Sequence, residues 1–123
     1  MTQIVCQGTL VFTDYVTNDF FKNDYNAPKV TMPSFENSDV ALLIRGNVLS
    51  PLFPDGCRII INDEINPKNG QWVVLRRESA FCIGIATIDN ENRKVTLDYP
   101  GRTPLLVPFE EISQLVLIRA VLF

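Results

Sequence analysis

Apolar residues occur along this chain in short runs that alternate with polar residues and end at Pro, Gly, Asn or Asp. No apolar repeat of helical spacing continues past about ten residues. This pattern predicts a mostly β protein, because alternation with a period of two is typical of strands with one buried face. The predicted strands span residues 4–12, 40–45, 58–62, 71–77, 80–88, 94–98, 105–107 and 114–123.

Turn signals join the central strands into a meander of hairpins from residue 58 to residue 98. Asn66-Pro67-Lys68-Asn69-Gly70 combines a proline with an Asn-Gly pair, and residues 77–80 and 89–93 are short enough for tight hairpins. Helix is predicted only as single turns, at residues 50–56, between Pro51 and Pro54, and at residues 109–112.

Residues 13–39 have a different pattern, in which Asp, Asn and Thr alternate with aromatic residues. The aromatic residues are Tyr15, Phe20, Phe21, Tyr25 and Phe35. Two interpretations stay open: a long surface loop anchored by its aromatic side chains, or an extended arm that crosses to a partner chain.

Length and composition describe one soluble globular domain. The chain has 123 residues, of which 46% are hydrophobic and 20% charged, and a net charge of −3. With only four lysines, and with Arg76-Arg77 as its densest basic spot, this segment is not expected to grip a phosphate backbone. Three cysteines without CxxC spacing favour a reducing cytoplasm over a disulfide scaffold or a zinc site. Neither a membrane span nor a signal peptide is predicted.

The absence of histidine removes the Ser-His-acid and Cys-His arrangements and the commonest metal ligand. The acidic pairs Asp63-Glu64 and Glu110-Glu111 are typical of solvated charge, and the six glycines are too scattered for a phosphate loop. A Ser-Lys dyad is the remaining nucleophilic option, but no lysine lies inside an apolar strand. We therefore expect no cofactor and no metal.

A family resemblance appears in the middle of the chain. Gly46-Asn47-Val48-Leu49-Ser50-Pro51, followed by Asp55-Gly56-Cys57, resembles the Gly-Asp-Ser-Met-x-Pro and Asp-Gly-Asp signature of LexA, the phage repressors and UmuD-type polymerase subunits. Lys68-Asn69-Gly70-Gln71-Trp72-Val73-Val74 resembles the Asn-Gly-x-x-Val-Val strand of that family, and residues 33–39 resemble its Pro-x-Phe-x-x-x-Asp lead-in. The resemblance covers residues 30–123 and leaves residues 1–29 as an N-terminal arm, the remnant of a cleavage or linker region.

The resemblance implies a LexA and signal-peptidase-like fold of short, strongly bent antiparallel strands. It also implies that the Ser-Lys dyad of the family is lost, since the serine position falls on Val48 and the lysine position on Gly84. Ser50 is better explained by a Ser-Pro turn than as a shifted nucleophile. Cys57 and Cys82 have no histidine partner that would activate a thiol, and they are better explained as small buried packing residues.

Alternation along strand 80–88 places Cys82, Gly84 and Ala86 on one nearly bare face. Another backbone can approach such a face closely, so it is a candidate docking groove for the chain's own N-terminal segment or for a partner. Gln7-Gly8 weakly resembles the dipeptide that family members cut in themselves, and is interpreted as a cleavage-site remnant.

The function expected from the resemblance is that of the self-association and regulatory C-terminal domain of a phage-like or prophage repressor, inactive in self-cleavage. Such a domain forms homodimers or larger homo-oligomers, can meet an antirepressor, and reaches DNA only through an N-terminal domain. The apolar last strand, with Leu115, Leu117, Arg119 and Val121, is the predicted pairing edge. Two alternatives stay open: a stand-alone UmuD-like adaptor subunit, and an active serine peptidase with an unrecognised nucleophile.

Overall fold

The computed structural model describes residues 2–22, 29–32 and 38–123, and places the side chains of residues 6–21 and 38–123. The strands within these ranges are β1 (Thr2–Val11), β2 (Phe20–Lys22), β3 (Lys29–Met32), β4 (Asp39–Arg45), β5 (Arg58–Asn62), β6 (Trp72–Arg77), β7 (Ala80–Asp89), β8 (Lys94–Asp98), β9 (Leu105–Pro108) and β10 (Gln114–Leu122). All eight predicted strands are confirmed, with ends that move by no more than two residues.

The chain makes tight turns in both regions where a single helical turn was predicted. Phe109–Glu111 forms one turn of 3-10 helix, as expected. Residues 47–52 form hydrogen-bonded turns without a helix, in which the Ser50 N–H donates to the Asn47 carbonyl at 3.1 Å. The mostly β class is therefore confirmed.

The strands form one open sheet in the order β2-β1-β4-β5-β10-β6-β7-β8-β9, with β3 paired to the start of β1. The expectation of antiparallel strands throughout is wrong, because β1 and β4 run parallel. Parallel neighbours need a long connection, and residues 12–38 supply one. That connection also carries β2 and β3, which the polar composition of residues 13–39 concealed.

Residues 2–11 form β1, which pairs with β4 on one side and with β2 and β3 on the other. Tyr25 and the lead-in at residues 33–37 lie outside the described residues.

The sheet curls strongly. β2 and β7 are the first and seventh strands in its order, a separation of about 29 Å in a flat sheet, yet the rings of Phe20 and Phe81 lie 5.4 Å apart. Curling encloses the main apolar core, whose fully buried members include Phe12, Ile44 and Ile83.

β10 lies between β5 and β6 in the sheet, so it is not a free pairing edge along its whole length. Leu115 lies opposite Leu75 of β6, Leu117 lies between Val73 and Asn62, and Val121 lies opposite Ile59 of β5. An interior strand that is buried on both faces has the same continuous apolar pattern as an apolar strand at the edge of a sheet. The sequence alone could therefore not distinguish the two positions.

Candidate functional site

The loop after β4 carries Val48, where the sequence resemblance puts the serine of the dyad, and two glycines of this loop explain its shape. Gly46 adopts φ +101°, and its N–H donates to Oδ1 of Asp55 at 2.9 Å. A Cβ at Gly46 would overlap the backbone of Phe12, and Gly56 also has a positive φ, of +86°. The Gly … Asp-Gly frame of the sequence therefore closes a turn in this protein.

Val48 sits in this turn, half-buried against the core, and Leu49 next to it is fully buried. The Leu49 carbonyl accepts a hydrogen bond from the hydroxyl of Tyr99. Ser50 is exposed within the turn, as a Ser-Pro turn residue would be. The backbone beside Val48 is thus tied to an aromatic side chain.

Gly84, where the sequence resemblance puts the lysine of the dyad, lies in β7, and Cys82, Gly84 and Ala86 are all buried there. A Cβ built on Gly84 would lie 2.7 Å from Cγ of Leu97, 2.8 Å from the Asp98 carbonyl oxygen and 3.0 Å from the Tyr15 hydroxyl. The space over Gly84 is therefore filled by residues of this chain.

A segment of the chain's own N-terminal part fills that space. We call residues 12–19, between β1 and β2, the strap. Thr17 and Phe81 exchange two backbone hydrogen bonds, of 3.0 and 2.7 Å, and the Thr17 hydroxyl donates to the Val11 carbonyl at 2.6 Å. The strap therefore pairs with β7 just before Gly84, in agreement with the expectation that the chain itself could occupy this face.

Tyr15 is the strap residue that reaches Gly84. Its hydroxyl donates to the Ile83 carbonyl at 2.8 Å and contacts the thiol of Cys82. Its ring lies 5.6 Å from that of Tyr99, and the Arg102 guanidinium lies 5.0 Å from the Tyr15 ring centre. Burial, with smaller contributions from Cys82, raises the pKa of Tyr15 far above its ordinary value, so the hydroxyl stays protonated as a donor.

Two buried tyrosines thus connect the dyad positions. Tyr99 binds the backbone beside Val48, Tyr15 binds the backbone beside Gly84, and the two rings are in contact. The ring of Tyr99 also packs against that of Trp72, with 5.6 Å between the ring centres, so Trp72 belongs to the same aromatic group. The space between the two stretches is therefore packed with aromatic side chains.

The cysteines near this site are chemically quiet at neutral pH. Burial raises the pKa of Cys82 and of Cys57 to about 11 and also raises that of Cys6. A thiol with such a pKa is protonated at pH 7 and is a poor nucleophile. All three cysteines are free.

Gln7 and Gly8, the predicted cleavage-site remnant, lie inside β1. Gly8 pairs with Leu42 and with Lys22, and the pairing with β4 shifts by one residue at Gln7, a β-bulge. A Cβ at Gly8 would overlap the ring of Phe20. The glycine therefore has a packing role, and the Gln7–Gly8 bond is held within a paired strand.

Arg119 of β10 belongs to a polar network that crosses three strands. Its guanidinium forms an ion pair with the fully buried carboxylate of Asp39, whose other oxygen accepts a hydrogen bond from the Asn62 amide at 3.0 Å. The side-chain oxygen of Asn62, Oδ1, in turn accepts a hydrogen bond from the Glu64 N–H at 2.9 Å. This network fixes the start of β4 against β5 and β10.

Among the described residues, no three His, Cys, Asp or Glu side chains are arranged to hold a metal ion. Within the same ranges, no helix is long and apolar enough to cross a membrane. Compared with models of protein families and with curated proteins, the chain matches none.

Sequence reasoning missed Tyr15 and Tyr99 as members of this site. Tyr15 is 68 positions from Ile83 and Tyr99 is 50 positions from Leu49, so no local pattern connects them. The available signal was a tyrosine in an otherwise polar segment, which indicated that its ring packs onto something else.

Proposed function

We propose that this chain is the self-association and regulatory C-terminal domain of a phage-like or prophage transcriptional repressor that does not cleave itself. Contact with DNA would be made by an N-terminal domain ahead of residue 1, and an antirepressor is a possible further partner. The observation that carries the proposal is the pair of vacated positions, Val48 and Gly84, with Tyr15 and Tyr99 packed between their two stretches. A segment to be cut would find neither a nucleophile nor room beside Gly84.

The LexA-like fold is part of the same proposal. It is supported by the hairpins from β5 to β8, by the strong curl of the sheet, and by the order in which the Gly46, Asp55-Gly56 and Asn69-Gly70 turns follow one another. A cytoplasmic location belongs to it as well, since the three cysteines are free.

Self-association is supported by the last part of β10. β6 pairs with β10 only as far as Leu117, whereas β5 continues to Leu122. Among the described residues, the stretch from Ala120 to Leu122 therefore has no strand on the side of β6. Such an open edge can accept a strand from another chain.

A groove of about 230 Å³ runs beside this edge, and its floor is apolar. It is lined by Phe53 and Trp72 together with Leu52, which is 41% exposed, and Val121 of β10. Arg119 is its charged member and is already paired with Asp39. An apolar, charge-compensated groove beside a strand edge suits a second copy of the same apolar strand.

Sedimentation analysis of the purified chain tests self-association. We expect a dimer or a larger oligomer at micromolar concentration. Leu52→Glu should weaken the assembly at least tenfold, because it places a charge on the groove wall. Leu106→Glu, at a 55% exposed position of the distant strand β9, is the matched control and should leave assembly unchanged.

Two outcomes would overturn the proposal. A chain that stays monomeric at 100 times the concentration used would remove self-association. A cut near Gly8 during long incubation at alkaline pH, abolished by Ser50→Ala, would instead establish an active peptidase.

A further inference from the structure

A cavity opens where the curled sheet brings β2 close to β7, and Asn18 of the strap is among the residues that line it. It has a volume of about 530 Å³, within the range of roughly 300 to 1,000 Å³ that small-molecule sites occupy. Strands from both halves of the sheet supply its walls, because the curl brings β2 close to β7. We refer to it as the sheet cavity.

The floor of the sheet cavity is apolar and incompletely covered. Phe20, Val40, Ile61 and Phe81 line it, and each remains partly exposed although it packs against the core. Phe20 and Phe81 form a tilted ring pair at 5.4 Å, which gives one wall a continuous aromatic surface. Apolar area left in contact with water inside a concavity favours a ligand with an apolar body.

The rim of the sheet cavity is polar and has one sign of charge. Among the lining residues that the structure describes, Arg76 is the charged one, and no carboxylate side chain lines the cavity. The Arg76 guanidinium lies 5.7 Å from the centre of the Phe81 ring, so it stands where the rim meets the apolar floor. Gln7 and Gln114 add amide groups beside it.

Arg76 is held in place without being neutralised. Its Nε donates to the Glu78 carbonyl at 2.7 Å, and its Nη1 lies 3.4 Å from the side-chain oxygen of Gln114. Within the described ranges, no carboxylate forms an ion pair with it. A guanidinium that is oriented by neutral oxygens keeps its charge available for an anion, and carboxylates are the anions that its planar donors match.

We infer that the sheet cavity is a binding site for a small amphiphilic carboxylate, with its apolar body on the Phe20–Phe81 wall and its carboxylate on Arg76. A cationic ligand would meet Arg76 unfavourably, and a neutral one would forgo the charge-assisted hydrogen bonds. The inference goes beyond the proposed repressor function and does not depend on it.

Calorimetric titration of the full chain tests the site with three probes of similar apolar size, octanoate, 2-naphthoate and octylamine. We expect at least one of the two carboxylates to bind at least tenfold more tightly than octylamine. The stronger of the two tells whether the apolar body is aliphatic or aromatic.

Two variants then locate the binding. Arg76→Gln should lower the affinity for the carboxylate about tenfold, whereas Lys68→Gln, which removes one exposed positive charge elsewhere, should leave it unchanged. Ser79→Trp, at an exposed turn on the rim, should obstruct the mouth and abolish binding without altering the buried core.

The inference is overturned by octylamine binding as tightly as the carboxylates, by no binding of any probe at millimolar concentration, or by an affinity that neither Arg76→Gln nor Ser79→Trp changes. Leu52→Glu separates this result from self-association. That variant should lose assembly and retain carboxylate binding, so each proposal can fail without the other.

Discussion

The Tyr15 hydroxyl donates to the carbonyl of Ile83 at 2.8 Å and lies 3.0 Å from the point where a Cβ on Gly84 would stand. A side chain at position 84 and a tyrosine at position 15 therefore compete for one space. The absence of a side chain at position 84 and the packing of the strap over β7 therefore depend on each other.

Gly84→Ala should destabilise the protein although alanine is a small residue. The added methyl group would meet Leu97 and the Asp98 backbone at 2.7 and 2.8 Å, so β8 must shift. Overpacking of this kind costs about 2 kcal/mol of unfolding free energy, which urea unfolding would measure. Thr87→Ala, at an exposed position of the same strand, is the control.

Larger residues at position 84 give a stricter test of the filled space. Gly84→Trp should displace the strap and expose Tyr15. The variant should unfold at a lower urea concentration, with a larger change in the near-ultraviolet signal on unfolding. A variant of unchanged stability would mean that the face over Gly84 is open.

Because Tyr15 fills the space beside Gly84, Val48→Ser with Gly84→Lys should produce self-cleavage only if Tyr15 is also replaced by a small residue.

Tyr15→Phe should weaken the hold of the strap without leaving a void. It removes one buried hydrogen bond to Ile83, at a cost of about 1 kcal/mol. Amide hydrogen exchange at Thr17 and Phe81, which pair with each other, should become faster. Val16→Ala, at a 37% exposed strap position, should leave both rates unchanged.

The buried thiols predict a loss of stability at alkaline pH. Cys57 and Cys82 ionise near pH 9.0 when unfolded, but burial raises the folded pKa of each to about 11. Because the folded pKa is raised, the contribution of each thiol to the free energy of unfolding is complete below pH 9 and declines as the pH rises towards 11. The expected loss is about 1 kcal/mol for each thiol by pH 10.

Unfolding free energies measured from pH 7 to pH 10.5 would test this slope. Replacement of Cys57 and Cys82 by alanine should reduce this slope, whatever the stability at pH 7, and leave the smaller part that comes from Cys6 and the buried tyrosines, whose pKa values burial also raises. A slope that the double variant retains undiminished would assign the effect to groups other than these two thiols. Native protein at pH 8 should also resist alkylation of both thiols until it unfolds.

Arg119→Gln should be one of the most destabilising changes at the surface of the sheet. It leaves the buried carboxylate of Asp39 without its guanidinium partner, and breaking such a buried pair costs about 3 kcal/mol or more. Arg45→Gln is the matched control, because the Arg45–Asp55 pair is about half exposed on both sides and contributes less than about 1 kcal/mol. Equal losses in thermal unfolding would contradict this ranking.

Local patterns were sufficient to place eight of the ten strands in the described residues; β2 and β3, in the polar segment, were not predicted. Alternation and turn residues located β4 to β10 closely, and the small residues of β7 correctly indicated a close neighbour at Gly84. These features depend on residues that are near one another in the sequence.

Features that depend on distant pairs could not be predicted. β10 carries an apolar pattern that fits an edge as well as an interior strand, and its pairing with both β5 and β6 decides between them. The parallel pairing of β1 with β4 and the contact of Tyr15 with Ile83 join residues across long stretches of chain. In the sequence, Arg76 stood out only as part of the densest basic spot, because the curl that places apolar residues beside it has no local signal.

The position of β10 also has a consequence for how the protein is made. β5 and β6 do not pair with each other, and β10 joins them from between. Until residues 114–122 have left the ribosome, the nascent chain holds two unconnected groups of strands, each with an unfilled edge. Because translation proceeds at roughly 5 to 20 residues per second, this last strand sets the moment at which the separate halves become one cooperative unit.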